Sequence, residues 1–205
     1  MLTRRASGFS LIEALVALTI GGLLLALAAP AFSNWMASSR IRLTAESIQS
    51  GLQFARSEAT ARNGQVRFQL TDSLSGNCAL STTGTSWVVN VGAANAAGAC
   101  DAAAGDAATG ILMKRPSSEG SGSTVVDGSG NAGFDGSIVF NGLGRPTPTP
   151  ASTLSIMVRG SAIEQCAEQG GPITCLYIQV TPGGQTRMCN AKLASTDPQS
   201  CSYAP

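Results

Sequence analysis

The sequence predicts an α+β protein in which one long N-terminal helix packs on an antiparallel β-sheet or small β-sandwich. Three observations carry this expectation. An apolar run fills Phe9 to Phe32, apolar residues then recur every three or four positions up to residue 63, and beyond Gly64 the pattern changes to alternation. A chain of 205 residues can build one domain with a real core plus an anchoring segment, and is short for two large domains. Small residues abound, while charged residues make up 12% and aromatics 5%. That balance suits a β-rich domain with long turns outside the cytoplasm better than a helical cytosolic enzyme.

The elements follow in chain order. Residues 1–8, MLTRRASG, form a short basic leader. The run 9–32 holds one charge, Glu13, and exceeds the roughly 20 residues a membrane-crossing helix needs. Arg4 and Arg5 on its near side predict the N-terminus in the cytoplasm, with one membrane pass and the bulk of the chain outside the cytoplasm. Residues 33–63 continue the helix amphipathically. Ile41, Ala45, Ile48, Leu52, Ala55 and Ala59 form one stripe, while Arg42, Glu46, Gln49, Gln53, Arg56 and Glu58 occupy other faces. Asn63-Gly64 is the expected stop, with the glycine taking the left-handed cap conformation. Residues 64–205 form the β-rich globular domain. Strand-like runs are QVRFQL, SWVVNV (86–91), GILMKR (110–115), SIVFN (137–141), TLSIMVR (153–159) and CLYIQV (175–180). Pro182-Gly183-Gly184 then turns the chain into QTRMC as a hairpin. The Ala- and Gly-rich stretches 92–110 and 116–136 carry no periodicity and are expected as surface loops.

Glu13 does not fit a plain anchor. A carboxylate near the middle of a bilayer costs on the order of 2.5 to 3.5 kcal/mol, and somewhat less nearer the interface, so it needs a partner. Cleavage between Gly8 and Phe9 would create an α-ammonium on Phe9 able to pair with Glu13 of the same or a neighbouring helix. Glu13 then becomes an assembly device. Two blander readings compete: an ordinary signal-peptidase site at Ala26-Leu27-Ala28 that releases a soluble protein, and an unprocessed single-span anchor.

Six cysteines, Cys78, Cys100, Cys166, Cys175, Cys189 and Cys201, all lie beyond the apolar run, as expected of a domain exported to an oxidising compartment. Disulfides are the leading reading. Sequence order favours neighbour pairing (Cys78 with Cys100, Cys166 with Cys175, Cys189 with Cys201) among about fifteen connectivities. Each bridge would contribute roughly 2 to 4 kcal/mol. A zinc site is the rival, but the chain has no histidine and no Cys-x-x-Cys pair. Without histidine there is also no Ser-His-Asp triad and no Cys-His nucleophile pair. Serines near Lys114 or Lys192 could be read as Ser-Lys dyads, although those lysines fit solvated strand and loop positions as well. GSGSTVVDGSG lacks the lysine of a phosphate-binding loop. Asp127, Ser129, Asn131, Gly133 and Asp135 have the spacing of a calcium loop, with Ala132 where its turn glycine belongs and Ile138 where its glutamate belongs. No enzymatic activity, metal or cofactor is expected. The net charge of +1 includes the leader arginines and gives no bulk nucleic-acid signal.

Gly8-Phe9-Ser10-Leu11-Ile12-Glu13, behind a basic leader, resembles the type IV prepilin processing site. The resemblance implies cleavage after Gly8 and N-methylation of Phe9 by prepilin peptidase, with Glu13 at the fifth mature position. It also places Pro30 where pilins commonly carry a helix-kinking proline. Long helix, early Trp-containing strand, FNGLGRP turn at 140–146 and late hairpin together resemble the GspH/FimT branch of pilin-like proteins, over most of the chain. That branch implies a minor pilin that primes or joins a type IV pilus. Its partners would be other pilins, the peptidase, an inner-membrane assembly platform and membrane lipid. An H-type pseudopilin of type II secretion has the same architecture. Some members are DNA-uptake receptors with a Gly-Arg-x-Arg tail. The matching stretch here is Gly184-Gln185-Thr186-Arg187, where Gln185 removes one phosphate contact and leaves Arg187 and Lys192 as a thin basic tail.

Overall fold

The computed structural model describes residues 10–117, 124–128, 134–161 and 165–201. The chain divides into two compact units, Met1–Met36 and Ala37–Pro205. Helix α1, Leu11–Arg62, contributes to both.

In the second unit, α1 buries the stripe that the sequence periodicity marks: Ile41, Ala45, Ile48, Leu52, Ala55 and Ala59 are essentially inaccessible. Among the described residues eight strands receive it: β1 (Val66–Thr71), β2 (Ser86–Val91), β3 (Ile111–Arg115), β4 (Thr124–Asp127), β5 (Ser137–Phe140), β6 (Leu154–Gly160), β7 (Leu176–Val180) and β8 (Thr186–Cys189). They form two four-stranded sheets, ordered β3-β2-β1-β5 and β4-β6-β7-β8, with every pairing antiparallel. Val66, Phe68 and Leu70 from β1, Trp87 and Val89 from β2, and Ile156, Val158, Ile178 and Val180 from β6 and β7 join the helix stripe in one core. Gly51 lets α1 lie close over β1 and β2, since a Cβ there would come within 2.8 Å of the Phe68 ring and 3.1 Å of Trp87. The Trp87 indole N–H donates to Ser47 Oγ at 3.0 Å, so the largest core side chain also satisfies its one polar atom.

The helix ends in a Schellman motif: Asn63 N–H bonds the Thr60 carbonyl at 3.2 Å, and Gly64 N–H bonds that of Ala59 at 3.1 Å. Asn63, at φ 47°, takes the left-handed conformation that the sequence reading assigned to Gly64. Asparagine is among the few residues that visit this region readily.

One sequence expectation is corrected. The stretch 116–136 is not loop throughout, because it contains β4 at the edge of the second sheet. The stretch 92–110 is a surface loop closed by the Cys78–Cys100 bridge, as expected. It covers the outer face of the first sheet, where Cys78, Val88, Ala96, Cys100 and Ile111 make a second small core. Polar side chains on that face hold it down: Arg67 Nη1 donates to Ala93 O at 2.7 Å, Asn90 Nδ2 to Ala94 O at 2.9 Å, and Ala96 N–H to Gln69 Oε1 at 3.3 Å. Lys114 Nζ donates to the carbonyls of Cys100, Asp101 and Ala102 at 2.8–3.0 Å. Where this loop lies against the sheet its backbone polar groups need partners, and side chains of β1, β2 and β3 supply them.

The cysteines are joined as Cys78–Cys100, Cys166–Cys175 and Cys189–Cys201, and none is free. The first bridge staples the covering stretch, and the other two lie in the main core.

Candidate assembly segment and cationic recess

The N-terminal unit is a helix with its apolar side chains turned outward. Leu11, Leu18, Leu25 and Leu27 lie more than two-thirds exposed, and none of its most apolar 18-residue window is buried within the protein. A soluble core helix would be covered; this segment is uncovered among the described residues, and by length and composition it can cross a membrane. Two of its hydroxyls bond its own backbone, Thr19 Oγ1 to Val16 O and Ser33 Oγ to Pro30 O, both at 2.9 Å. Glu13 stands exposed in the first turn, where the positive end of the helix dipole favours a carboxylate. Among the described residues no ion pair engages it. Gly8 and Phe9 lie outside the described residues. At Pro30, α1 continues as helix in both directions.

Arg187 and Lys192 sit at the C-terminal end of the second sheet. Arg187, on β8, donates from Nε and Nη2 to Gln179 Oε1 of β7 at 3.0 and 2.8 Å. Lys192 is exposed in the loop after β8, its backbone N–H bonded to Asn190 Oδ1 at 2.9 Å. A second arginine, Arg56, expected on a helix face other than the apolar stripe, joins Arg187. A recess of about 390 Å³ is lined by Gln53 and Arg56 of α1 and by Thr181, Gln185, Thr186 and Arg187 of the β7–β8 hairpin. Arg56 Nε donates to Gly144 O at 3.2 Å. The hairpin turn presses on that same carbonyl: Gly184 has φ +81°, and a Cβ there would run into Gly144 O. No local sequence signal links positions so far apart; only the fold does.

The remaining candidates are committed to structure. Lys114 is occupied by its three carbonyls rather than by a serine. Of the calcium-loop residues, Ser129, Asn131 and Gly133 lie outside the described residues. Asp127 faces Arg159 at 3.6 Å, and Asp135 accepts from the Ser137 N–H and hydroxyl while facing Arg67 at 3.4 Å. Cys166, Glu168 and Cys175 cluster within 4.8 Å, but the two sulfurs are bonded to each other, and Glu168 Oε1 accepts from the Tyr177 hydroxyl at 3.0 Å.

Comparison with known proteins gives the same architecture. Residues 44–187 match the family model described as type II transport protein GspH, and residues 3–29 match the prokaryotic N-terminal methylation motif. None of the curated proteins matches significantly. Two crystal forms of the Pseudomonas aeruginosa PAO1 type IV minor pilin FimU are similar to the chain. One is 14% identical with a TM-score of 0.51, covering 80% of this chain and 96% of FimU. The other is 15% identical with a TM-score of 0.48, covering 78% and 98%. At that identity the first likeness speaks for the fold: a long N-terminal helix on antiparallel sheets. With the methylation motif at its head and the GspH model spanning more than half its length, the chain belongs to the GspH family of type IV pilin-like subunits.

Proposed function

We propose that the protein is a minor pilin, a non-enzymatic subunit that primes or joins a type IV pilus from the bacterial inner membrane. The observation that carries this is the outward-facing apolar helix bearing Glu13 as its one carboxylate, joined to a disulfide-braced β domain. Prepilin peptidase would cut between Gly8 and Phe9 and methylate Phe9. The new ammonium and Glu13 would then set the register between neighbouring subunits, because the pairing relieves a lone charge in a low-dielectric filament core. Pro30 would help that helix bend into the packed core. The matched family's own description, a type II transport protein, favours a second reading as an H-type pseudopilin of a secretion filament.

Mass spectrometry of sheared surface pili tests both readings. A peptide beginning at methylated Phe9 in the pilus fraction is the expected result; the processed form confined to the inner membrane would transfer the assignment to the secretion filament. In the same assay, Glu13→Val should stay in the membrane and be depleted from filaments. Undiminished incorporation of that variant would remove the pairing argument.

A further inference from the structure

The recess between α1 and the β7–β8 hairpin holds two guanidinium groups and no acid. All six lining residues are polar: two arginines, two glutamines and two threonines. Among the described residues both arginines bond only neutral acceptors, Arg56 the Gly144 carbonyl and Arg187 the Gln179 amide oxygen. Among the described residues no carboxylate pairs with either. Arg42, Arg62, Arg67 and Arg159 each face an acid, while Arg40, Arg115 and Arg145 also face none among the described residues but do not line this recess. The Nη1 and Nη2 groups of Arg56 and the Nη1 group of Arg187 therefore keep N–H donors without a protein acceptor among the described residues.

The walls of the recess are set by contact. The Gly144 carbonyl receives Arg56 and is pressed by Gly184, so helix, 141–145 turn and hairpin are fixed at one atom. Two positive forks held on a common framework, flanked by Thr181 and Thr186 hydroxyls and by amide donors of Gln53 and Gln185, have the chemistry of an oxyanion site.

We propose that this recess is a socket for a carboxylate, an aspartate or glutamate side chain presented by a neighbouring subunit. That the carboxylate comes from a filament neighbour rests on the pilin reading above; the oxyanion chemistry does not. Duplex DNA fits less well. A polyanion gains affinity from a row of cations that each release counterions. Here the two arginines converge on one recess, in a chain with 13 basic and 12 acidic residues.

The test uses the full chain in non-ionic detergent, with fluorescence anisotropy of labelled hexaglutamate and, separately, of labelled duplex DNA at matched ionic strength. Hexaglutamate should bind, and Arg56→Gln or Arg187→Gln should weaken it about tenfold or more, the loss expected for one charge-assisted hydrogen bond. Arg42→Gln, on an exposed helix face that already pairs with Glu46, should leave binding unchanged. DNA bound through the same two arginines with no peptide bound would overturn the proposal in favour of a phosphate contact. Binding of neither probe, with the variants folded as judged by their thermal transitions, would reduce both arginines to solvated charges. Peptide binding that persists while the wild-type chain never enters filaments would refute the pilin reading and the neighbouring subunit as carboxylate donor, leaving the oxyanion site standing.

Discussion

Asp106 organises a turn with one oxygen: its Oδ1 accepts from the N–H of Thr109 at 2.8 Å, the Thr109 hydroxyl at 3.0 Å and the N–H of Ala108 at 3.0 Å. These donors, the Thr109 N–H foremost, favour the charged form and hold the carboxyl below its ordinary value of 3.8. Asp72 is lowered likewise, chiefly by the Ala79 N–H, on the turn that leads into Cys78. For a carboxyl whose pKa falls on folding, the stabilisation is complete above the unfolded value and disappears as pH drops through the folded one. Both turns should therefore be indifferent to pH near neutrality and loosen only below about pH 4. Denaturant midpoints measured across that range should fall with acid in the wild type, and less steeply in an Asp72→Asn, Asp106→Asn double variant. An identical acid slope in the two proteins would show that these bonds do not survive in solution. Residues of this kind are easy to read in sequence, since Asp before a Ser/Thr/Ala turn bonds locally. The prepilin-like segment around Gly8, Phe9 and Glu13 is legible for the same reason: its whole signal lies within a few positions.

At the scale of elements, legibility tracks how local the cause is. The stripe from Ile41 to Ala59 follows from a 3.6-residue period, and the edges of β1, β2, β6 and β7 follow from alternation bounded by turns. β4 escapes notice because four residues in a Gly/Ser-rich stretch carry no period of their own; β6 recruits them by pairing Val126 with Val158. The clamping of the covering stretch escapes for another reason. Arg67, Gln69, Asn90 and Lys114 look like the solvent face of a half-buried sheet, yet each is a clamp for a backbone that crosses over it. Lys114→Met should therefore cost about 1 to 3 kcal/mol, because the carbonyls of residues 100–102 lose their donor in a half-buried setting. Amide hydrogen exchange should quicken over 96–103 and stay slow in α1 and β1, with the Cys78–Cys100 bridge still in place. An unchanged exchange pattern would mean that the bridge alone holds the stretch. The same distinction explains why Arg187 is legible in the sequence and Arg56 is not: the first stands in a recognisable tail motif, the second meets it only through the tertiary fold.

The whole molecule consists of two units with opposite solvent requirements. The described part of the first unit, residues 10–36, turns leucine, isoleucine and phenylalanine outward and needs an apolar environment from membrane or neighbouring helices. Ala37–Pro205 carries its own core: every residue of both hydrophobic clusters, from Ala37 and Ile41 through to Cys201, belongs to this unit, as do all three disulfides. A domain of this size buries enough of its own surface to fold alone. The helical part that remains from Ala37 to Arg62 is seated by Ile41, Ile48 and Leu52 on the sheets rather than by its N-terminal extension. Residues 37–205 exported to the periplasm should therefore be soluble without detergent, lack free thiols and unfold in one cooperative transition. Its melting temperature should lie within a few degrees of that of the full chain in detergent, because no core contact has been removed. Leu52→Ala in this fragment should cost about 2 to 5 kcal/mol. If the fragment instead stays insoluble or melts without cooperativity, the N-terminal helix has to be counted as part of the folding unit, and exposure of its apolar face could no longer be read as an adaptation to membrane and filament alone.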